Sequence, residues 1–190
     1  MKQFVLTHGA SSNRNAPMLV ALDRALAAKD ILVTRYDLPF RQARPHGPPR
    51  PSDAERDQAG LREAVEEARK KSGGPVWLGG HSYGGRQSSM LIAEQPDLVE
   101  GLLLMSYPLH PPGKPDRPRT AHLPKLRTPV LFVHGSKDPF GTLDEMRAAM
   151  RLIPAKTELL EIENAGHDLG RDKGGVAAKI VEAFVAFVSR

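Results

Sequence analysis

A chain of 190 residues is long enough to bury one core and short for two, so we expect a single domain over residues 1–190. It contains no cysteine, which excludes disulfides, thiolate catalysis and cysteine-ligated metals. The net charge of +5 comes from scattered arginines rather than one basic block, so nucleic-acid binding is not expected. No apolar run is long enough for a signal peptide or a membrane span, and we expect a cytoplasmic protein without a membrane partner.

Short apolar runs alternate with longer amphipathic stretches, which is typical of strands alternating with helices. In chain order, the predicted strands cover residues 4–6, 31–33, 76–78, 102–105, 129–134 and 159–162. The predicted helices cover residues 17–26, 52–71, 83–95, 142–153 and 176–188. This alternation implies right-handed crossovers and a doubly wound α/β fold, with an all-parallel sheet of about six strands and helices on both faces. Ligands in such sheets bind beyond the carboxyl ends of the strands.

Two of the predicted helices begin with a capping box, in which a Ser or Thr and a Glu three residues later satisfy each other's main-chain N–H groups. The pairs are Ser52 with Glu55, and Thr142 with Glu145. The helix over residues 52–71 carries apolar residues on one side, and we expect its charged residues to form a solvated face.

The motif Gly80-His81-Ser82-Tyr83-Gly84 lies where the third strand meets a helix, and it has the Gly-x-Ser-x-Gly pattern of a nucleophile elbow. A serine hydroxyl is a poor nucleophile at neutral pH, so it must be held on a sharp turn facing a base. Gly80 and Gly84 lack the Cβ atoms that would clash where strand and helix pack closely. Ser82 is therefore the candidate nucleophile.

Asp138 and His167 follow the fifth and sixth predicted strands, so all three polar groups are expected at the edge of the sheet where Ser82 lies. The chain order Ser, Asp, His is that of an α/β-hydrolase triad. His167 would accept the Ser82 proton and return it to the leaving group, and Asp138 would orient the imidazole.

The main-chain N–H groups of Tyr83 and Ala10 are the candidate oxyanion-hole donors. Tyr83 begins the helix after the nucleophile, and Ala10 follows His8-Gly9 in the loop after the first strand. We expect His8 to orient this loop and His134 to be structural. No residue pattern indicates a metal or another cofactor.

Three residues near the expected site are candidate substrate contacts: Arg86, Tyr107 and Lys114. Arg86 lies in the first turn of the elbow helix, where a cation opposes the helix dipole. We expect it to pair with a nearby carboxylate, and the alternative is an anionic substrate. Tyr107 and Lys114 lie in the loop after the fourth strand, which can border the same site.

Four segments resemble motifs of the α/β-hydrolase superfamily over nearly the whole chain. They are residues 7–10, 80–85, 134–139 and 164–168. With residues 84–86 and 106–115, the chain is most similar to the small group of testis-expressed and chromatin-complex-subunit hydrolase-like proteins, related to dienelactone hydrolases. Dienelactone hydrolases use cysteine as the nucleophile, and Ser82 occupies that position here.

The resemblance implies a minimal fold without a lid domain, because only a proline-rich loop over residues 107–124 follows the fourth strand. We predict this loop and the stretch 35–51 to be irregular. A shallow, open site is then expected, which disfavours triglyceride lipase activity and favours short acyl groups.

The predicted function is a serine hydrolase acting on a small, soluble ester, thioester or related acyl compound. Two alternatives are a binding or scaffolding protein with a hydrolase fold, and an acyltransferase that uses the same triad. A pure scaffold needs none of Ser82, Asp138 and His167, so their presence favours the enzyme. The sequence predicts neither the substrate nor the oligomeric state.

Overall fold

The computed structural model describes residues 1–189 and contains one six-stranded sheet in which all paired strands are parallel. The order across the sheet is β2-β1-β3-β4-β5-β6. The strands are β1 (Lys2–Thr7), β2 (Ile31–Tyr36), β3 (Val76–His81), β4 (Leu102–Met105), β5 (Val130–Gly135) and β6 (Thr157–Ile162). The doubly wound, all-parallel sheet predicted from the sequence is therefore confirmed.

The helices pack on both faces of the sheet. They are α1 (Pro17–Ala27), α2 (Pro39–Ala43), α3 (Ala54–Ser72), α4 (Tyr83–Glu94), α5 (Leu143–Met150) and α6 (Val176–Val188). Leu22 of α1 and Phe184 of α6 are buried in the apolar layer on one face. Leu61 of α3, Ile92 of α4 and Met146 of α5 are buried in the layer on the other. Burial of both faces explains why the central strands are continuous apolar runs rather than alternating ones.

The stretch 35–51 is more regular than expected, because β2 continues to Tyr36 and α2 follows at Pro39. Two main-chain N–H groups at the start of α2 are bound by buried side chains. Leu38 donates to Nε2 of His8 at 3.1 Å, and Phe40 donates to a carboxylate oxygen of Asp57 at 2.9 Å. These partners lie far away in the sequence, so proline content alone underestimated the order of this segment.

The two predicted capping boxes have different outcomes. Thr142 and Glu145 bind each other's main-chain N–H groups at 3.2 and 2.7 Å, which confirms the box that begins α5. The box predicted for Ser52 is wrong, because Ser52 lies within a turn of 3₁₀ helix over Pro51–Asp53 and α3 begins after it. Asp53 makes the corresponding contact, accepting the Arg50 N–H at 2.7 Å.

The loop over residues 107–124 contains only one short 3₁₀ turn, Leu123–Lys125, at its far end, so the fold has no helical lid. Within residues 1–189, none of the helices combines the length and the apolar character needed to cross a membrane.

Candidate active site

Ser82 lies on a strained turn between β3 and α4. Its φ of 50° and ψ of −115° are unusual for a residue with a side chain, and its N–H donates to the Met105 carbonyl at 2.8 Å. A Cβ at Gly80 would lie 2.5 Å from the Gly85 nitrogen, and a Cβ at Gly84 would lie 2.5 Å from the His8 carbonyl oxygen. The two glycines therefore allow the close approach that the elbow requires.

The side chains of Ser82, His167 and Asp138 form a continuous hydrogen-bonded chain. The Ser82 Oγ lies 2.8 Å from Nε2 of His167, and Nδ1 of His167 lies 2.8 and 3.0 Å from the two Asp138 carboxylate oxygens. Asp138 is buried and also accepts the N–H of Phe140 at 2.9 Å. The structure thus brings the three predicted residues together with the imidazole between hydroxyl and carboxylate.

Two aromatic rings hold the imidazole of His167 in place. Phe140 stacks on it with ring centroids 4.1 Å apart, and His81 lies on another side at 5.2 Å. His81 Nε2 donates to the His167 carbonyl at 2.7 Å. Burial lowers the pKa of His81 to about 4, so it is neutral at pH 7 and serves as a fixed donor.

His8 orients the loop that carries Ala10. Its Nδ1 lies 2.9 Å from the Gly9 carbonyl oxygen, while its Nε2 accepts the Leu38 N–H. This arrangement requires a proton on Nδ1 and a free lone pair on Nε2, and burial lowers the pKa of His8, which favours the neutral ring. The Gly9 carbonyl also accepts the Ser12 N–H. The Gly9 C=O and the Ala10 N–H belong to the same peptide group, so this bond helps to fix the direction of the Ala10 N–H.

Arg41 connects several main-chain segments around the same loop. It is only 8% exposed, and its guanidinium donates to four carbonyl oxygens, those of Ser12, Arg44, Ala10 and Gly47, at 2.7 to 3.1 Å. A buried cation satisfied by carbonyl dipoles on both sides of a loop restrains that loop at several points. The loop containing Ala10 is therefore fixed without a substrate.

Tyr83 joins the elbow to α3 through its side chain. Its hydroxyl donates to Asp57 at 2.8 Å, and its ring contacts Phe40 edge to face at 5.6 Å. Asp57 is fully buried, so the expectation that all charged residues of α3 face solvent is wrong. The Tyr83 N–H has no intrahelical acceptor, because Tyr83 is the first residue of α4.

Ser82 and His167 open into a cavity of about 1130 Å³. Its wall includes Pro49, Arg50 and Pro51 of one proline-rich segment, and Pro108 and Arg119 of the loop after β4. The cavity exceeds the range of about 300–1,000 Å³ typical of small-molecule sites. The volume is larger than we expected for a site without a helical lid, and residues of these two segments contribute to its wall.

Arg86 lines this cavity, as predicted, but the carboxylate partner expected for it is missing. Among residues 1–189, no Asp or Glu forms an ion pair with Arg86, and its Nε is buried without a hydrogen-bond partner. The guanidinium instead lies near Tyr107. Burial raises the pKa of Tyr107 to about 12, although the charge of Arg86 partly opposes this rise.

The two other predicted substrate contacts do not line the cavity. Tyr107 is fully buried, and its hydroxyl donates to the Arg119 carbonyl at 2.8 Å. Lys114 is exposed at the outer part of the loop. Pro108 and Arg119 are the residues of this loop that line the cavity, so the structure does not bring Tyr107 and Lys114 to it.

Sequence reasoning missed three residues around this site: His81, Phe140 and Arg119. His81 and Phe140 each stand within two residues of a predicted member of the triad, so their proximity was visible in the sequence. Arg119 follows no motif. Within the described part of the chain, no group of three or more His, Asp or Glu side chains is arranged to hold a metal ion.

His122, which lies near Arg86, makes the free energy of unfolding dependent on pH. Burial and then the charge of Arg86 lower its pKa from 6.5 to about 4, so the unfolded chain binds this proton more tightly. The contribution of neutral His122 to the free energy of unfolding is fully present above about pH 6.5 and is lost as the pH falls towards 4. We expect the free energy of unfolding in urea to drop by on the order of 1–2 kcal/mol from this group between pH 7 and 5.

The variant His122→Asn should show a smaller drop than the wild type over the same interval. His46→Asn is the matched control, because His46 is exposed in another loop. An unchanged drop in His122→Asn would contradict the assignment.

A protein-family model described as alpha/beta hydrolase domain matches residues 1–185. The chain therefore belongs to the α/β-hydrolase family, and it is a hydrolase. The superfamily resemblance stated from the sequence motifs is confirmed.

Solved structures share the fold over nearly the full chain. TT1662 from Thermus thermophilus has a TM-score of 0.75 and 22% identity, covering 98% of this chain and 88% of that chain. Est1E from Butyrivibrio proteoclasticus, with ferulic acid bound, has a TM-score of 0.77 and 16% identity, covering 100% and 90%. A dienelactone hydrolase from Anabaena variabilis has a TM-score of 0.76 and 18% identity, covering 98% and 85%. At these identities the likeness shows the fold alone.

Proposed function

We propose that this hydrolase is a serine esterase or thioesterase that works through an acyl-enzyme on Ser82. The observation that carries the proposal is the hydrogen-bonded chain from Ser82 Oγ through His167 to the buried Asp138. The backbone of Ser82 supports it, because a φ of 50° with a ψ of −115° lies outside the left-handed helical region and fits a strained nucleophile elbow. The scaffold alternative needs neither feature.

In the first half of the reaction, the Ser82 Oγ attacks the substrate carbonyl carbon while Nε2 of His167 accepts its proton. The negative charge that develops on the carbonyl oxygen is met by the N–H groups of Tyr83 and Ala10. When the intermediate collapses, His167 donates the proton to the leaving alkoxide or thiolate. Asp138 accepts the Nδ1–H of His167 throughout, and so stabilises the imidazolium.

In the second half, water takes the place of the leaving group. His167 accepts a proton from the water as it attacks the acyl-enzyme, and the second tetrahedral intermediate uses the same N–H donors. Collapse releases the carboxylic acid and returns the proton to Ser82. Transfer to another acceptor uses the same steps with an alcohol, thiol or amine in place of water, and product analysis distinguishes the two outcomes.

The cavity supports a substrate larger than an acetyl ester. Met18, Leu19, Met90 and Phe140 contribute apolar wall to its volume of about 1130 Å³. A dienelactone hydrolase and an Est1E that holds ferulic acid share this fold, and a compact acid or lactone is of the size that this cavity can hold. We therefore extend the expected acyl groups from short chains to compact chains of intermediate length.

A fluorophosphonate probe tests this function, because it phosphonylates only an activated serine. We expect labelling of the wild type at Ser82, loss of labelling in Ser82→Ala, and strong slowing in Asp138→Asn, where the histidine tautomer is no longer fixed. Ser11→Ala is the matched control, since Ser11 lines the same cavity outside the hydrogen-bonded chain. Labelling that persists in Ser82→Ala, or no labelling of the wild type, would contradict the proposal and favour a scaffold.

A further inference from the structure

We propose that Arg86 and Arg119 form a binding subsite for a carboxylate, so that the preferred substrate carries an acid group in addition to its scissile ester. This inference rests on the proposed function for its catalytic consequence. The binding of the anion itself requires only the two arginines and the cavity, and it can be tested apart from the reaction.

The first observation concerns Arg86. It lies on α4 one turn after Ser82, and it lines the cavity into which Ser82 opens. Its Nε is buried without a hydrogen-bond partner in residues 1–189, and no carboxylate of these residues forms an ion pair with it. A partly buried guanidinium with an unused donor is costly unless a ligand satisfies it.

The second observation is that Arg119 is presented to the same cavity by a fixed main chain. Its N–H donates to the Leu109 carbonyl at 2.7 Å, and its carbonyl accepts the Tyr107 hydroxyl at 2.8 Å. Its guanidinium forms no ion pair with a described residue. Arg86 and Arg119 line the same cavity, and burial followed by the charge of Arg86 lowers the pKa of Arg119.

The third observation is that the titratable neighbours of this pair are neutral. Tyr107 and His122 face Arg86, with pKa values of about 12 and about 4, so neither supplies a negative charge at pH 7. By contrast, Arg171 also lines the cavity but pairs with Asp168 at 3.1 Å. Arg50 lines the cavity too and forms no ion pair with a described residue, but it is exposed, so the partly buried uncompensated charge is that of Arg86 and Arg119.

The chemistry of the wall favours a carboxylate on a hydrocarbon spacer. Planar guanidinium groups bind carboxylates through paired N–H donors, and such charge-assisted bonds are strong in a partly dry site. Met90, Pro108 and Phe140 supply apolar surface in the same cavity. A substrate with its acid group at the arginines, its reacting carbonyl at Ser82 and methylene or aromatic carbons between them uses each of these surfaces.

Direct binding is measured first, by calorimetric titration of the Ser82→Ala protein with adipate, and in parallel with inorganic phosphate. We expect adipate to bind, and its affinity to fall on the order of tenfold or more when Arg86→Gln or Arg119→Gln is added. Lys114→Gln is the matched control, because Lys114 is exposed and lies outside the cavity. Equal weakening by Lys114→Gln, or no binding of adipate, overturns the subsite. Binding of phosphate in preference to adipate overturns the carboxylate assignment.

Selectivity is measured next, with mono-4-nitrophenyl adipate against 4-nitrophenyl hexanoate, two esters of equal acyl length. We expect kcat/KM to favour the anionic ester by on the order of ten- to a hundredfold in the wild type, and this ratio to fall towards one in Arg119→Gln. A ratio of one in an active wild type overturns the catalytic consequence. Adipate binding without turnover of either ester supports the subsite and contradicts the esterase, so the two proposals fail separately.

Thermal unfolding distinguishes binding from a structural role. Removing one of two neighbouring, uncompensated cations relieves repulsion, so Arg119→Gln should unfold at the same temperature as the wild type or higher. Adipate should raise the unfolding temperature of the wild type and not that of Arg119→Gln. A lowered unfolding temperature in Arg119→Gln together with an unchanged affinity for adipate shows a structural arginine and overturns the proposal.

Discussion

Replacing Ser82 with alanine is expected to lower kcat/KM for 4-nitrophenyl butyrate by at least about 10⁴-fold. The loss is large because the variant lacks the atom that forms the acyl-enzyme, and only binding and the oxyanion donors remain. His167→Ala should lose a similar factor, since the hydroxyl and its base act as one unit. The measurement is steady-state hydrolysis by purified, folded protein.

The double variant Ser82→Ala with His167→Ala provides the control for this unit. Residues that act in one step are strongly non-additive, so the double variant should be no slower than either single variant. Multiplied losses would mean that the two side chains act independently. Wild-type turnover in Ser82→Ala would remove Ser82 from the mechanism.

Gly135→Ala is expected to abolish most activity without touching a reacting group. Gly135 ends β5, and a Cβ there would lie 2.4 Å from the Ala165 carbonyl oxygen and 2.7 Å from that of Gly166. These are main-chain atoms of the loop that carries His167, so the loop has to shift. We expect overpacking to cost about 1–3 kcal/mol of unfolding free energy and the shift of His167 to cost about 100-fold in kcat.

Gly166→Ala is the matched control for this prediction. It lies in the same loop, next to His167, yet the nearest atom to a Cβ there, the Lys137 carbonyl oxygen, is 4.0 Å away. Its φ is not positive, so alanine is not strained. Near-wild-type activity and stability in Gly166→Ala, beside a large loss in Gly135→Ala, would locate the effect where the end of β5 approaches the loop that carries His167. Equal effects would contradict it.

The triad candidates could be predicted from the sequence because their positions follow from local patterns. Ser82, Asp138 and His167 each come soon after an apolar strand, and parallel strands end at one edge of the sheet. Residue type and strand order therefore define neighbours without knowledge of the packing. The assignment of their catalytic roles is tested by the variants above.

Other features depend on contacts between distant parts of the chain. Helix α2 begins where His8 and Asp57, some 30 and 17 residues away, bind its N–H groups, and no local pattern records that. Arg119 reaches the cavity because a buried tyrosine hydroxyl holds its carbonyl. The missing partner of Arg86 was unpredictable for the same reason, since side-chain pairing follows from how irregular loops pack rather than from sequence spacing.

The contacts of Arg41 bear on how the site meets a reacting molecule. Arg41 joins two carbonyl oxygens of this loop, those of Ala10 and Ser12, to the segment that carries the carbonyls of Arg44 and Gly47, so the Ala10 dipole stands aligned before any substrate arrives. The cost of aligning it is met once, during folding, and little reorganisation accompanies each turnover. Movement of this loop should then not limit turnover, which acylation, deacylation or product release would limit instead. Where a chemical step is slowest, kcat should not change with solvent viscosity.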